Sequence, residues 1–122
     1  MEGITHLLKI NIDHIEKAGY SVERIISTGG GAKSDLWSQL KANITGFEIA
    51  IPLNEEAACL GSAMIGAVSD GVFESYEKAI EKCVSIKKQF KPKEVEVYEK
   101  KHALFLKLYE SLIPVFRQEM KT

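Results

Sequence analysis

Apolar residues open the chain at Ile4, Leu7, Leu8, Ile12 and Ile15, the three-and-four spacing of one helical face. Gly19 follows as a candidate C-cap. The pattern then changes. Residues 22–27, Val-Glu-Arg-Ile-Ile-Ser, read as a strand that runs into three consecutive glycines. A second amphipathic stretch carries Leu36, Trp37, Leu40 and Ile44, with Ser34 or Asp35 as its cap and Gly46 as its stop. Residues 47–51 form a second short strand closed by Pro52, and Asn54 caps a third helix with Glu55 and Glu56 in its first turn. That helix is narrow, because Ala58, Gly61, Ser62, Gly66 and Ala67 lie along it; small residues admit a close neighbour, either packed backbone or ligand.

Gly71 ends the third helix. A fourth follows from about residue 75 with Tyr76, Ala79, Ile80, Cys83 and Val84 on one face. Residues 85–93 read as a basic, solvated loop. A last helix starts near residues 92–94 and carries Tyr98, Phe105, Tyr109, Leu112 and Phe116, a face suited to core packing, with Pro114 bending or ending it. The order is α-β-α-β-α-α-α, and each strand-to-helix crossing implies parallel strands flanked by helices. Two strands make no stable sheet, so further sheet has to come from elsewhere.

Composition narrows the function classes. The 122 residues suffice for one small domain. Sixteen Lys and Arg against seventeen Asp and Glu leave the chain near neutral, which gives no case for a nucleic-acid partner. No apolar run reaches the roughly 20 residues of a membrane span, and no secretory leader is visible, so the expected location is cytoplasmic. Cys59 and Cys83 lack metal spacing and are expected to be reduced, buried thiols. His6, His14 and His102 show no ligand spacing, so no metal site is expected.

The candidate chemistry lies in Ser27-Thr28-Gly29-Gly30-Gly31-Ala32-Lys33-Ser34, between strand and helix. Glycines there let a ligand approach the backbone, and the next helix offers N–H groups to an anion. Three glycine-loop types compete. A P-loop needs GxxxxGK[ST], but Ser27 and Ala32 stand where its glycines belong. A dinucleotide fingerprint fits loosely as Gly29-x-Gly31-x-x-Ser34, with Glu48 in the next strand for a ribose.

The third type rests on more residues. The stretch from Gly29 to Gly46, then Ile51-Pro52, Glu55-Glu56-Ala57-Ala58-Cys59-Leu60-Gly61-Ser62-Ala63 and Gly71-Val72-Phe73, resembles the nucleotide-site segment of the FGGY family of carbohydrate kinases. The tail from Tyr98 to Phe116 resembles that family's closing helix, nearest to its xylulose- and gluconate-kinase branch. The resemblance covers nearly the whole chain. It implies an α/β fold: a partial actin-like ATPase (ribonuclease H-like) domain, with helices around a small parallel strand pair. Residues 1–122 would be an incomplete C-terminal, nucleotide-binding domain of a two-domain sugar kinase, without the N-terminal sugar-binding domain.

By the same resemblance, Gly29, Gly30 and Gly31 approach ATP, which binds with Mg2+. Ala32 lines the loop, and Ser34 stands near adenine. Lys33 faces solvent. The intact family enzyme transfers the γ-phosphate of ATP to a sugar hydroxyl. Asp13, Asp35 and Asp70, the chain's aspartates, do not stand in the family's catalytic context, so the chain alone is expected to be inactive. An uncovered strand edge or helix face is expected to drive self-association.

Overall fold

The computed structural model describes residues 1–54 and 56–119. Its elements run α1 (Glu2–Lys17), β1 (Arg24–Ile26), a 3-10 turn (Gly30–Ala32), α2 (Asp35–Thr45), β2 (Glu48–Pro52), α3 (Ala57–Ser69), α4 (Tyr76–Cys83), β3 (Ile86–Phe90) and α5 (Val95–Glu119). Among the described residues, no helix is long and apolar enough to cross a membrane.

The sheet is ordered β1-β2-β3. β1 and β2 are parallel, with Ile25 opposite Ile49, as the strand–helix–strand pattern requires. β3 is the departure from expectation. Residues 86–90 form a strand antiparallel to β2, with an irregularity at Ile51/Pro52, so the sheet is mixed and not a parallel pair. The lysines there conceal a strand pattern: Ile86 and Phe90 turn inward at its ends, while Lys87, Lys88 and Gln89 are exposed. β1 stays at the sheet's edge, and Ile26 on it is 48% exposed.

The core is small. Ala32, Ala42, Ile49 and Ile51 are buried together, with Ile25 and Phe90 packed against them. Ala42 places α2 flat on β2, because a longer side chain would hold helix and strand apart. Local signals bound α2 as expected: the Ser34 hydroxyl accepts the Trp37 N–H, and Gly46 takes the left-handed conformation at φ 79°.

Several expectations give way. α5 runs through Pro114 to Glu119 without ending there, and its apolar residues do not build a core: Tyr109, Leu112 and Phe116 are exposed, and His102 is its buried residue among those described. The helix packs against α2 and α1, and beyond His102 an open crevice separates Leu106, Tyr109 and Ile113 from α1, so its apolar face is not covered there. Cys59 is exposed and Cys83 only half-buried, because α3 and α4 pack mainly on each other. α1 reaches only as far as Lys17, with Ala18 as C-cap and Gly19 following at φ 92°. Asn54 does not cap α3 directly; its Oδ1 accepts the Glu56 N–H, and Glu56 is the N-cap. Glu55, expected in the first turn, lies outside the described residues.

Candidate functional site

The glycine loop leaves the C-terminal end of β1 and turns into α2. Ser27 continues the sheet, its N–H bonded to Ala50 O at 2.9 Å. Gly29 then adopts φ 74° and ψ −165°, a backbone region in which a side chain is strained. The chain next closes a single 3-10 turn, with Ala32 N–H bonded to Gly29 O and Lys33 N–H to Gly30 O. These bonds, and the Trp37 N–H held by Ser34, occupy three donors that a helix N-terminus could have offered to an anion. The loop therefore presents its bare glycine backbone more than a nest of free N–H groups.

The three glycines have different surroundings. A Cβ on Gly30 would meet nothing within 4 Å, and the residue is exposed. A Cβ on Gly31 would stand 3.0 Å from Trp37 Cζ3. Packing against Trp37 thus crowds position 31 and conformation favours glycine at position 29, while space alone does not account for Gly30. Ala32 points inward and belongs to the core. Lys33 is exposed. Ser34 is half-buried, with its hydroxyl committed to the helix cap.

Trp37 is held from its far side. Its Nε1 donates to Thr5 Oγ1 at 3.2 Å, and Thr5 is buried on α1, where its hydroxyl donates to Met1 O. Lys41, one turn further along α2, sets its Nζ 2.9 Å from Ser27 Oγ and 3.4 Å from Gly31 O, and 4.7 Å from the centre of the Trp37 ring. Burial holds its pKa below the ordinary lysine range. α1 and α2 together thus form a platform under the loop. Nothing about Lys41 stands out in the sequence except its place four residues after Trp37, on the same face of an amphipathic helix.

Beside the loop, a cavity of about 220 Å³ is lined by Ala32, Lys33, Asp35, Ile51, Lys87 and Lys88. Lys88 spans it to bind both carboxylate oxygens of Asp35, at 2.8 and 2.7 Å. A larger crevice of about 330 Å³ between α1 and α5 lies away from the glycines, so size alone does not locate the site. Among the described residues, no three His, Cys, Asp or Glu side chains converge as a metal site.

A second polar arrangement is invisible in the sequence. His6 on α1 and His102 on α5 bring their Nδ1 atoms to 3.1 Å, and His6 stacks on Phe105. His102 Nε2 faces Asp13 Oδ2 at 3.7 Å, an ion-pair distance too long for a hydrogen bond. Burial pushes both histidines below their ordinary pKa. The neighbouring His102 adds to this for His6, and Lys9 adds to it for His102. Ninety-six positions separate them, so only the fold brings them together.

Similarity to other proteins agrees with this geometry. The sequence profile of the C-terminal domain of the FGGY family of carbohydrate kinases matches residues 1–69. The xylulose kinase of Bacillus subtilis is 37% identical over 112 residues, which are 92% of this chain and 22% of that kinase. The crystal structure of gluconate kinase from Lactobacillus acidophilus superposes with a TM-score of 0.83 at 24% identity, over 91% of this chain and 23% of its own. Xylulose kinase from Rhodospirillum rubrum gives a TM-score of 0.80 at 20% identity, over 95% of this chain and 24% of its own. The 122 residues thus correspond to less than a quarter of each of these proteins, and the fold they share is the actin-like ATPase fold of such kinases. By its profile, its sequence relatives and its fold, this chain belongs to the FGGY family of carbohydrate kinases, to whose C-terminal domain it corresponds.

Proposed function

We propose that this chain is the nucleotide-contacting portion of an ATP-dependent carbohydrate kinase. In that reading Gly29, Gly30 and Gly31 bring bare backbone to ATP, and Ser34 shapes the start of α2 beside it. Ala32 acts from beneath, by anchoring the loop in the core. The observation that carries the reading is Gly30: an exposed residue with open space around it, at the C-terminal end of a strand that lies parallel to its neighbour. Ligands of open α/β sheets meet the protein at that end.

Mg2+ would come with the nucleotide, since magnesium takes phosphate oxygens and waters with only one or two carboxylates. The intact kinase would transfer the γ-phosphate of ATP to a sugar hydroxyl. Xylulose or a related sugar or sugar acid is the substrate that the relatives favour. The sugar site and general base are assigned to an N-terminal domain outside these 122 residues. The aspartates present here are engaged elsewhere. Asp35 is bound by Lys88, Asp13 pairs with Lys9, and Asp70 follows α3 as its C-cap. The chain alone is therefore expected to phosphorylate no sugar. The cytoplasm, where ATP is made available to such kinases, is the location this reading implies.

Equilibrium dialysis with Mg-ATP, and with NAD in parallel, tests the proposal. Saturable ATP binding with a dissociation constant of millimolar order is expected, because one wall of a cleft leaves much of the ligand wet. Binding of NAD in preference to ATP would overturn it in favour of a dinucleotide loop.

A second reading is favoured by a different observation. α3 has no buried residue, and β1 has an unpaired edge. The 122-residue chain is proposed to associate with a second copy through these surfaces, as a non-catalytic, actin-like module.

A further inference from the structure

Lys41 contacts three separate pieces of the site: Ser27 Oγ just past β1, Gly31 O inside the 3-10 turn, and the face of Trp37 on its own helix. An ammonium has three donors and accepts nothing, so each contact fixes one direction of the head group. Ser27 is buried and bonded into the sheet. Gly31 lies against Trp37, closely enough that a Cβ would meet the ring. The stretch from Thr28 to Gly30 is thus a short bridge with both ends anchored, and Lys41 joins those ends to each other.

We propose that Lys41 is a positioning residue for the nucleotide: by tying Ser27 to Gly31 O it sets how far the Gly29–Gly30 backbone stands above α2, and so where the ligand meets it. The proposal rests on the reading of the glycine loop as the nucleotide contact and deepens it. Lys41 acts through the loop, with its donors directed to protein atoms and its ammonium under the turn.

The electrostatics fit an ammonium drawn partly out of water by its contacts. A partly buried ammonium is disfavoured relative to water, and burial lowers the pKa of Lys41 accordingly. The unfolded chain therefore holds that proton more tightly than the folded one, and the charge works against folding at neutral pH.

The test compares the full 122-residue chain with Lys41→Met, which keeps the stem and loses every donor, and Lys41→Arg, which keeps charge and donors. Amide spectra and backbone order parameters of the ligand-free proteins are recorded first, then melting curves, then Mg-ATP titrations. Lys41→Met is expected to melt close to the wild-type temperature, because desolvation of the ammonium offsets much of what its hydrogen bonds contribute. Its amide shifts should centre on Ser27 and Gly29–Ala32, with lower order parameters at the glycines. Its Mg-ATP affinity should fall about tenfold, as for loss of one charge-assisted hydrogen bond, with partial rescue by Lys41→Arg. Loop amides unchanged in Lys41→Met would overturn the proposal. So would a lowered melting point with shifts spread through β1, β2 and α2, the mark of a structural strut. If the wild type itself binds no Mg-ATP, the functional reading of the loop fails, and with it the nucleotide role of Lys41; the ligand-free spectra then show separately whether the clamp exists.

Discussion

Two regions of this molecule are rich in apolar residues and use them in opposite ways. The sheet with α2 hides them: Ile49 and Ala50 in β2 and Ala42 in α2 are fully buried. The α3–α4 hairpin hides only Ala79 of α4 among its described residues: α3 runs Ala-Ala-Cys-Leu-Gly-Ser-Ala-Met-Ile-Gly-Ala-Val-Ser and buries none of it, and Ile65 remains 58% exposed. Small residues in α2 meet a strand, whereas a Cβ at Gly61 or Gly66 in α3 would meet nothing within 4 Å. Composition alone therefore does not separate a core element from one shaped for a further surface. In the proposed reading α3 is of the second kind, and the glycine loop belongs to the first region, between β1 and α2.

The sharpest contrast is in stability. Ile49→Ala should cost about 2–5 kcal/mol, because a fully buried strand residue leaves a cavity in a core with few other members. Ile65→Ala should stay within about 0.5 kcal/mol. Urea denaturation followed by circular dichroism measures both. Equal losses would mean that α3 is already part of the core.

Next comes association. The isolated chain should elute larger than a monomer, and Ile65→Lys combined with Ile80→Lys should return it toward monomer, since both side chains are at least half exposed on the hairpin. Light scattering after size exclusion decides this; a wild-type monomer at high concentration would end the self-association reading.

A smaller effect is expected from pH. His6 and His102 share one hydrogen bond between Nδ1 atoms, which requires one ring to donate and the other to accept. Both folded-state pKa values lie below the ordinary value of 6.5, so the unfolded chain takes up protons first as the solution is acidified. The stability they support is complete above about pH 6.5. It falls as pH drops from there through the lowered folded values. Protonating both rings sets two N–H groups face to face, beside Lys9 and Lys101, with Asp13 and Glu2 as the opposing charges. Loss of that bond, about 1 kcal/mol, corresponds to about 4 °C in Tm for a chain of 122 residues. His102→Gln should flatten the acid limb of a Tm–pH curve between neutrality and pH 5; an unaltered limb would place the acid sensitivity elsewhere.

The smallest stability effects separate the glycines. Gly31→Ala presses on Trp37 and should cost about 1 kcal/mol, the usual scale for a point mutation. Gly30→Ala meets open space and should leave Tm unchanged, yet weaken Mg-ATP binding. Melting curves alongside nucleotide titrations check the pair. If Gly30→Ala binds ATP as the wild type does, its bareness is not there for a ligand.

The parts legible in the sequence are those fixed by local chemistry. An N-cap at Ser34 or Asp35 and a stop at Gly46 can be read from residue type and spacing, and so can the glycine loop between strand and helix; the structure gives the cap to Ser34. β3 is hidden because three consecutive polar residues, Lys87, Lys88 and Gln89, separate the inward Ile86 and Phe90. α5 misleads for the opposite reason. Its apolar spacing is helical, but whether such a face is covered depends on what lies opposite, which periodicity does not contain. The Thr5–Trp37 bond, the Lys41 clamp and the His6–His102 pair join residues through tertiary packing. No motif spacing reveals them.

The bare glycine loop is the proposed meeting point of nucleotide and this chain. An amide-resolved NMR titration of the wild-type chain with Mg-ATP tests it most directly. Saturable shifts should centre on Gly29–Ser34 and reach the first turn of α3, with the distant α1–α5 crevice unaffected. Shifts confined to that crevice, or none at ~10 mM, well above the expected affinity, would contradict the claim.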